Sequence, residues 1–223
     1  MSQNKSSAVM QQRSEPHDSL DDFPTQPWAT RALMEKVIRA EFGSVSDQSC
    51  WEPACNRGHM AKPLNEYFRS VYTSDIHDYS HEWDGQQRVT DFLFPFSQSQ
   101  CMEANGVDWI ITNPPFRLAE QFIDRAKQVA SVGFAMIVRT SFLEGVGRYE
   151  NLFSKNPPSI VAQFSERVPM VKGRLTATGS TATSYCWLVW IDGMVGTKLV
   201  WIPPCRKKLE RKEDYAAYAE VAA

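Results

Sequence analysis

Apolar residues along this chain fall into two alternating rhythms. Runs with strand character occupy residues 71–74, 107–111, 132–139, 160–164, 184–191 and 198–202, and helical spacing fills 29–42, 59–68, 121–130 and 148–153. Short apolar strands alternating with helices predict an α/β fold. The last two strands are separated only by Asp192-Gly193-Met194-Val195-Gly196, which predicts an antiparallel hairpin at the end of the sheet. Residues 1–22 are polar, rich in Ser and Gln, and read as a disordered lead-in. The folded domain is then 23–212, followed by a tail at 213–223.

One strand end carries unusual chemistry. The run Val107-Asp108-Trp109-Ile110-Ile111 is stopped by Thr112-Asn113-Pro114-Pro115-Phe116. Two prolines fix φ and remove backbone donors, so the Asn113 amide and the Pro114 carbonyl form a nearly rigid pair of acceptors. Such a pair suits an amine conjugated to an aromatic ring. Accepting both of its protons drives the nitrogen towards a tetrahedral, electron-rich form. Pro115 shapes the pocket, and Phe116 offers a ring on which a flat base can stack. A second copy of the first three letters, Asn156-Pro157-Pro158-Ser159, follows no strand and lacks the aromatic, so it reads as a helix stop.

Asn113-Pro114-Pro115-Phe116 after an apolar strand resembles the catalytic motif of S-adenosylmethionine-dependent amino-methyltransferases, above all those acting on adenine in DNA. Other segments carry the same resemblance. Trp51-Glu52-Pro53-Ala54-Cys55-Asn56-Arg57-Gly58 is similar to the family's cofactor loop, with Asn56 where the family usually has Gly. Asn tolerates positive φ best after Gly, so the turn can be kept. Asp75, closing the strand 71–74, is placed to grip both ribose hydroxyls, with Ile76 beside the adenine ring. Val89-Thr90-Asp91-Phe92 looks like the loop whose Asp accepts from the cofactor's adenine amine. Phe23-Pro24-Thr25-Gln26-Pro27-Trp28 resembles the segment that holds the methionine carboxylate, with Thr25 as helix N-cap. The family more often has Pro directly after Thr, and here Gln26 intervenes. The resemblance implies a Rossmann-like, doubly wound, mostly parallel sheet. Its catalytic residues would be Asn113, Pro114, Pro115 and Phe116. Thr25, Trp28, Glu52, Pro53, Ala54, Asn56, Gly58, Asp75, Ile76, Asp91, Phe92 and Asn113 would hold S-adenosylmethionine.

Charge adds a direction. The chain carries −2 overall, but residues 1–112 hold 9 Lys and Arg against 16 Asp and Glu, while residues 113–223 hold 15 against 10. That asymmetry fits an acidic cofactor half and a half that faces a polyanion. The polar stretch 166–183, longer than an ordinary connection, supplies Arg167, Lys172 and Arg174 as candidate DNA contacts. Five cysteines, an odd number without a Cys-x-x-Cys pair, argue against a disulfide framework and a structural zinc site. His77 and His81 read as a polar loop rather than as metal ligands, so no metal is expected. Cys55 lies in the cofactor loop, so no covalent step is implied. No long apolar run or signal segment occurs, and a cytoplasmic protein with no membrane partner is expected. Methylation of RNA adenine or of a protein glutamine, or a non-catalytic nucleic-acid-binding module of this fold, are the alternatives.

Overall fold

The structure is a computed structural model and describes residues 21–94, 106–178 and 181–215. Eight strands form one sheet: β1 Ser49–Glu52, β2 Ser70–Asp75, β3 Arg88–Val89, β4 Val107–Thr112, β5 Ala130–Arg139, β6 Ile160–Phe164, β7 Tyr185–Ile191 and β8 Lys198–Ile202. Their order is β3-β2-β1-β4-β5-β7-β6-β8. The strands from β3 to β5 are all parallel, and β7 is antiparallel to both of its neighbours, β5 and β6.

The expected terminal hairpin is not formed. Strand β6 lies between β7 and β8 and pairs with β8 in parallel, from Ile160↔Lys198 to Phe164↔Ile202. Apolarity explains the insertion: β6 buries Ile160, Ala162 and Phe164, while β8 leaves Leu199 and Trp201 exposed and suits a sheet edge. The link 192–197 therefore crosses over one strand instead of turning back on its own.

Alternation along the strands sends residues to two faces, and both are buried. One face collects Cys50, Trp109, Ile111, Ile137, Trp187 and Val189, and the other Trp51, Ile110, Met136, Val138, Leu188 and Trp190. Helix α1 (Pro27–Leu33) covers the first face and buries every one of its residues. It runs on through a π-helical stretch, Met34–Ile38, into α2 (Arg39–Phe42). On the same face lies α3, Ala61–Leu64, much shorter than the stretch 59–68, because Pro63 has no N–H to donate within the turn. Helix α4 (Ala119–Val129) covers the other face through Phe122, Ile123 and Ala126. Among the described residues there are two further short α-helical pieces, α5 (Val146–Arg148), running into a π-helical Tyr149–Phe153, and α6 (Arg206–Leu209), with 3-10 turns at Thr140–Leu143 and Lys212–Tyr215.

The residues at both expected boundaries are engaged. Asp22 ion-pairs with Arg57 at 2.7 Å. At the other end, Asp214 pairs with the buried Arg31 at 2.8 Å, and the Tyr215 hydroxyl donates to Gln26 Oε1 at 3.1 Å. The rest of the lead-in and tail, residues 1–20 and 216–223, lies outside the described residues, as does Cys101. Cys50, Cys55, Cys186 and Cys205 are free thiols and buried. Among the described residues no group of His, Cys, Asp or Glu could hold a metal, and no helix is long and apolar enough to cross a membrane.

Candidate active site

A cleft partly open to solvent lies at the carboxyl ends of β1, β2 and β4. Parallel strands put their loops at that end, and the turn in strand order makes room between them. Thr25, Glu52, Pro53, Ala54 and Asn56 line it, as do Asp75, Ile76, Asp91, Phe92, Asn113 and Pro115. The sequence separates these residues by up to ninety positions. The sheet brings them to one wall.

The cofactor-type loop after β1 is shaped by Asn56, at φ 47° the one non-glycine residue with positive φ among those described. Its backbone N–H donates to Asp75 Oδ2 at 2.9 Å. Its side-chain amide donates to Asp22 Oδ1 at 2.8 Å, and Oδ1 accepts from Arg57 N at 2.7 Å. Asn56 thus adopts the backbone geometry a glycine would allow and also ties three segments together. Asp75 is held at both oxygens, since His77 N donates to Oδ1 at 3.0 Å. Burial is the main reason its carboxyl is held above the ordinary range, although the His77 and Asn56 amides oppose that shift. Glu52, 2% exposed, is pushed well above its ordinary range by burial first and by the nearby Asp75 second. His59 on the cleft wall is forced down to about 3 by burial and by the neighbouring Arg57 and Lys62, so it is neutral at physiological pH.

Three buried polar atoms of cleft residues have no hydrogen-bond partner among the described residues: Thr25 Oγ1, Glu52 Oε2 and Asn113 Oδ1. Each such orphan costs about 1–3 kcal/mol, and a ligand that supplies donors removes the cost. Asn113 is oriented by a neighbour. Its Nδ2 donates to the Phe23 carbonyl at 2.9 Å, which assigns Oδ1 as the free acceptor. Asp21 Oδ2 accepts from Phe116 N at 2.9 Å, so the segment 21–23 braces this loop at two points.

Several expected positions lie elsewhere. Thr25 is not the helix cap: the N-cap position falls on Gln26, without a side-chain cap bond. The Gln26 amide is instead spent on the carbonyls of Pro169 (2.8 Å) and Thr176 (3.2 Å). Gln26 thereby fastens the α1 entry to the 169–176 segment, and Thr25 keeps its hydroxyl for the cleft. Trp28 is fully buried in the core, edge-on to Phe164 at 5.7 Å, away from the cleft. Gly58 does not line the cleft either; a Cβ there would come within 2.5 Å of the Trp83 indole. Phe92 is 1% exposed and packs edge-on against Trp51 at 5.2 Å, so it supports the wall. Pro114 and Phe116 face a second, smaller cavity behind the loop.

Asp21, Asp22, Phe23, His59 and Tyr79 also line the cleft, and sequence reasoning named none of them as a site residue, Phe23 appearing only as the start of the 23–28 segment. No local pattern marks them, because they act through contacts with residues thirty or more positions away in the case of Asp22 and Phe23. Arg167, Lys172 and Arg174 are exposed. The turn that carries Lys172 and Arg174 is joined to the cleft rim by Gly173 N donating to Asp22 O at 2.8 Å. Arg167 is partly committed, donating to Ala182 O at 3.0 Å and to Ser184 Oγ.

No protein-family model matches the chain, and no curated protein matches it in sequence. Solved structures match in shape. A "putative RNA methyltransferase" from Pyrococcus horikoshii aligns over 82% of this chain and 95% of its own, at 13% identity and a TM-score of 0.56. The modification subunit of a "putative type I restriction enzyme" from Vibrio vulnificus YJ016 aligns over 96% of this chain and 55% of its own, at 14% identity and 0.54. The type I restriction-modification methyltransferase subunit from Streptococcus thermophilus aligns over 79% and 46%, at 11% identity and 0.54. This chain has a Rossmann-like methyltransferase fold. It spans about half the length of the two restriction subunits.

Proposed function

We propose that the chain transfers a methyl group from S-adenosylmethionine to the exocyclic amine of adenine in DNA. The observation that carries this reading is the Asn113 Oδ1 atom, buried, without a partner and held at the end of β4 in the wall of the cleft. Glu52 and Asp75 offer acceptors for a ligand rich in hydroxyl and amine donors. Thr25 offers a hydroxyl beside the start of α1, and the exposed Ile76 an apolar edge. These residues fit S-adenosylmethionine, which supplies an electrophilic methyl group when bound. The target adenine must leave the duplex stack, because its amine cannot reach a buried site from within a helix. Asn113 and the Pro114 carbonyl accept from that amine and raise its electron density, while Phe116 stacks on the base. Catalysis is then orientation plus local electrostatics, with neither a covalent intermediate nor a metal.

Nucleic acid is favoured over a protein amide by Phe116 and by the basic balance of residues 113–223. Adenine in RNA is the second reading. Incorporation of labelled methyl groups into DNA, RNA and protein in parallel tests the substrate class, and labelling of protein alone would overturn the proposal. A non-catalytic module would fail to bind S-adenosylmethionine. Among the described residues, 140–153 and 166–178 are the long connections outside the sheet that could reach bases, and each good base contact gives about 1–3 kcal/mol of discrimination. Methylated adenines are therefore expected in many contexts. Their confinement to a motif of six or more specified bases, roughly what a dedicated recognition region reads, would refute relaxed specificity.

A further inference from the structure

Residues of the Asn113–Phe116 loop alternate between two cavities. Asn113 and Pro115 line the large cleft, while Pro114 and Phe116 line the smaller cavity, together with Ser141, Phe142, Arg139 and Arg148. Each phenylalanine of that cavity carries a guanidinium on its ring, Arg139 over Phe116 at 4.1 Å and Arg148 over Phe142 at 4.2 Å. The two arginines are held very differently. Arg148 is fixed by Glu120 at 3.1 Å and by the carbonyls of Phe142 at 2.7 Å and Glu144 at 2.6 Å. Arg139, at the end of β5, is exposed, has no carboxylate partner among the described residues, and lies near the buried Tyr185 hydroxyl. A flat cation 4.1 Å above the Phe116 centroid occupies the place a stacked purine would take.

Resting on the adenine-methylating reading above, we infer that Arg139 is a substrate-binding residue that pairs with a backbone phosphate beside the target base. In the structure its guanidinium covers the Phe116 ring. Entry of the base displaces it, and the released fork meets the phosphate that necessarily accompanies the base. A cation–π contact at an exposed site is weak beside a bidentate guanidinium–phosphate pair, so the exchange favours the bound state. Arg148 stays where it is and keeps the cavity wall in shape.

The test measures affinity of the full chain for a random-sequence DNA duplex across a salt series, with S-adenosylhomocysteine present, for wild type, Arg139→Ala and Arg139→Lys. Arg139→Ala is expected to weaken binding about tenfold and to flatten the slope of log affinity against log salt by about one unit. Arg139→Lys, which keeps the charge, retains the slope. A wild-type salt slope in Arg139→Ala, with wild type methylating DNA, overturns the role of Arg139 and leaves the adenine reading standing. Equal slope loss in both variants also overturns it, since the charge would then be irrelevant. Failure of wild type to methylate DNA overturns the adenine reading and the Arg139 role together.

Discussion

On the cleft side of the Asn113–Phe116 loop the notable ionisable groups are buried carboxylates, whereas behind the loop they are arginines lying on aromatic rings. Glu52 and Asp75 are both raised in pKa by burial, which marks a site short of donors until a ligand supplies them. A guanidinium such as that of Arg139 is a planar, pre-organised fork and loses little when re-paired. The contrast teaches that one loop can serve two ligands of different chemistry. A donor-rich, cationic molecule suits the first side, and a planar base with an attached anion suits the second.

The sharpest way to break this comparison is at the loop itself. Asn113→Ala should lower turnover by about 10²–10³-fold or more while leaving S-adenosylmethionine affinity within about tenfold, because the lost acceptor acts in the transition state. Turnover like wild type would remove Asn113 from the catalytic role. Asp75→Ala should act on the cleft side alone, weakening cofactor binding by about 1–3 kcal/mol in calorimetry while DNA affinity is unchanged. Asp22→Ala removes one ion-pair partner of Arg57, which keeps Glu82, and one acceptor of the Asn56 amide. A loss of about 1–2 kcal/mol in denaturant unfolding is expected, as for a half-buried charged pair with its hydrogen bonds.

Acidity offers a subtler test of the carboxylate side. A carboxyl whose folded pKa is raised favours folding below its unfolded value and loses that contribution as pH rises towards the folded one. Glu52→Gln should therefore stabilise the ligand-free protein at pH values well above the ordinary 4.5. The gain in melting temperature should shrink as pH falls to that value. A gain independent of pH would show that Glu52 is not held as described. The smallest effects belong to the exposed cations. Replacing Lys172 or Arg174 with Ala should flatten the DNA salt slope by about one unit each, and Arg167→Ala by less than that. Arg167 already donates to Ala182 and Ser184, so an equal loss would mean those bonds open on binding.

Sequence alone determined a good deal about this protein. The strands 107–111, 132–139 and 160–164 were legible because each is a short, mostly apolar run, broken only by Asp108, Arg139 and Gln163, and β4, β5 and β6 fall on those runs. Glu52, Asp75 and Asn113 were singled out through the family resemblance, and the structure gathers them because each directly ends or follows a parallel strand, whose ends lie at one edge. Strand order was not. Nothing local in 184–202 reveals that β6 enters between β7 and β8, because that choice weighs the burial of β6 against the exposed edge left to β8. Thr25 was misread by one residue for a similar reason. The cap position passed to Gln26, whose amide is tied to carbonyls some 150 positions away. Only the tertiary structure could bring Phe23 onto Asn113, Asp22 onto Asn56 and Arg139 onto Phe116. Periodicity fixes which face a side chain takes within its own element, while partners across the sheet are decided by packing the whole chain at once.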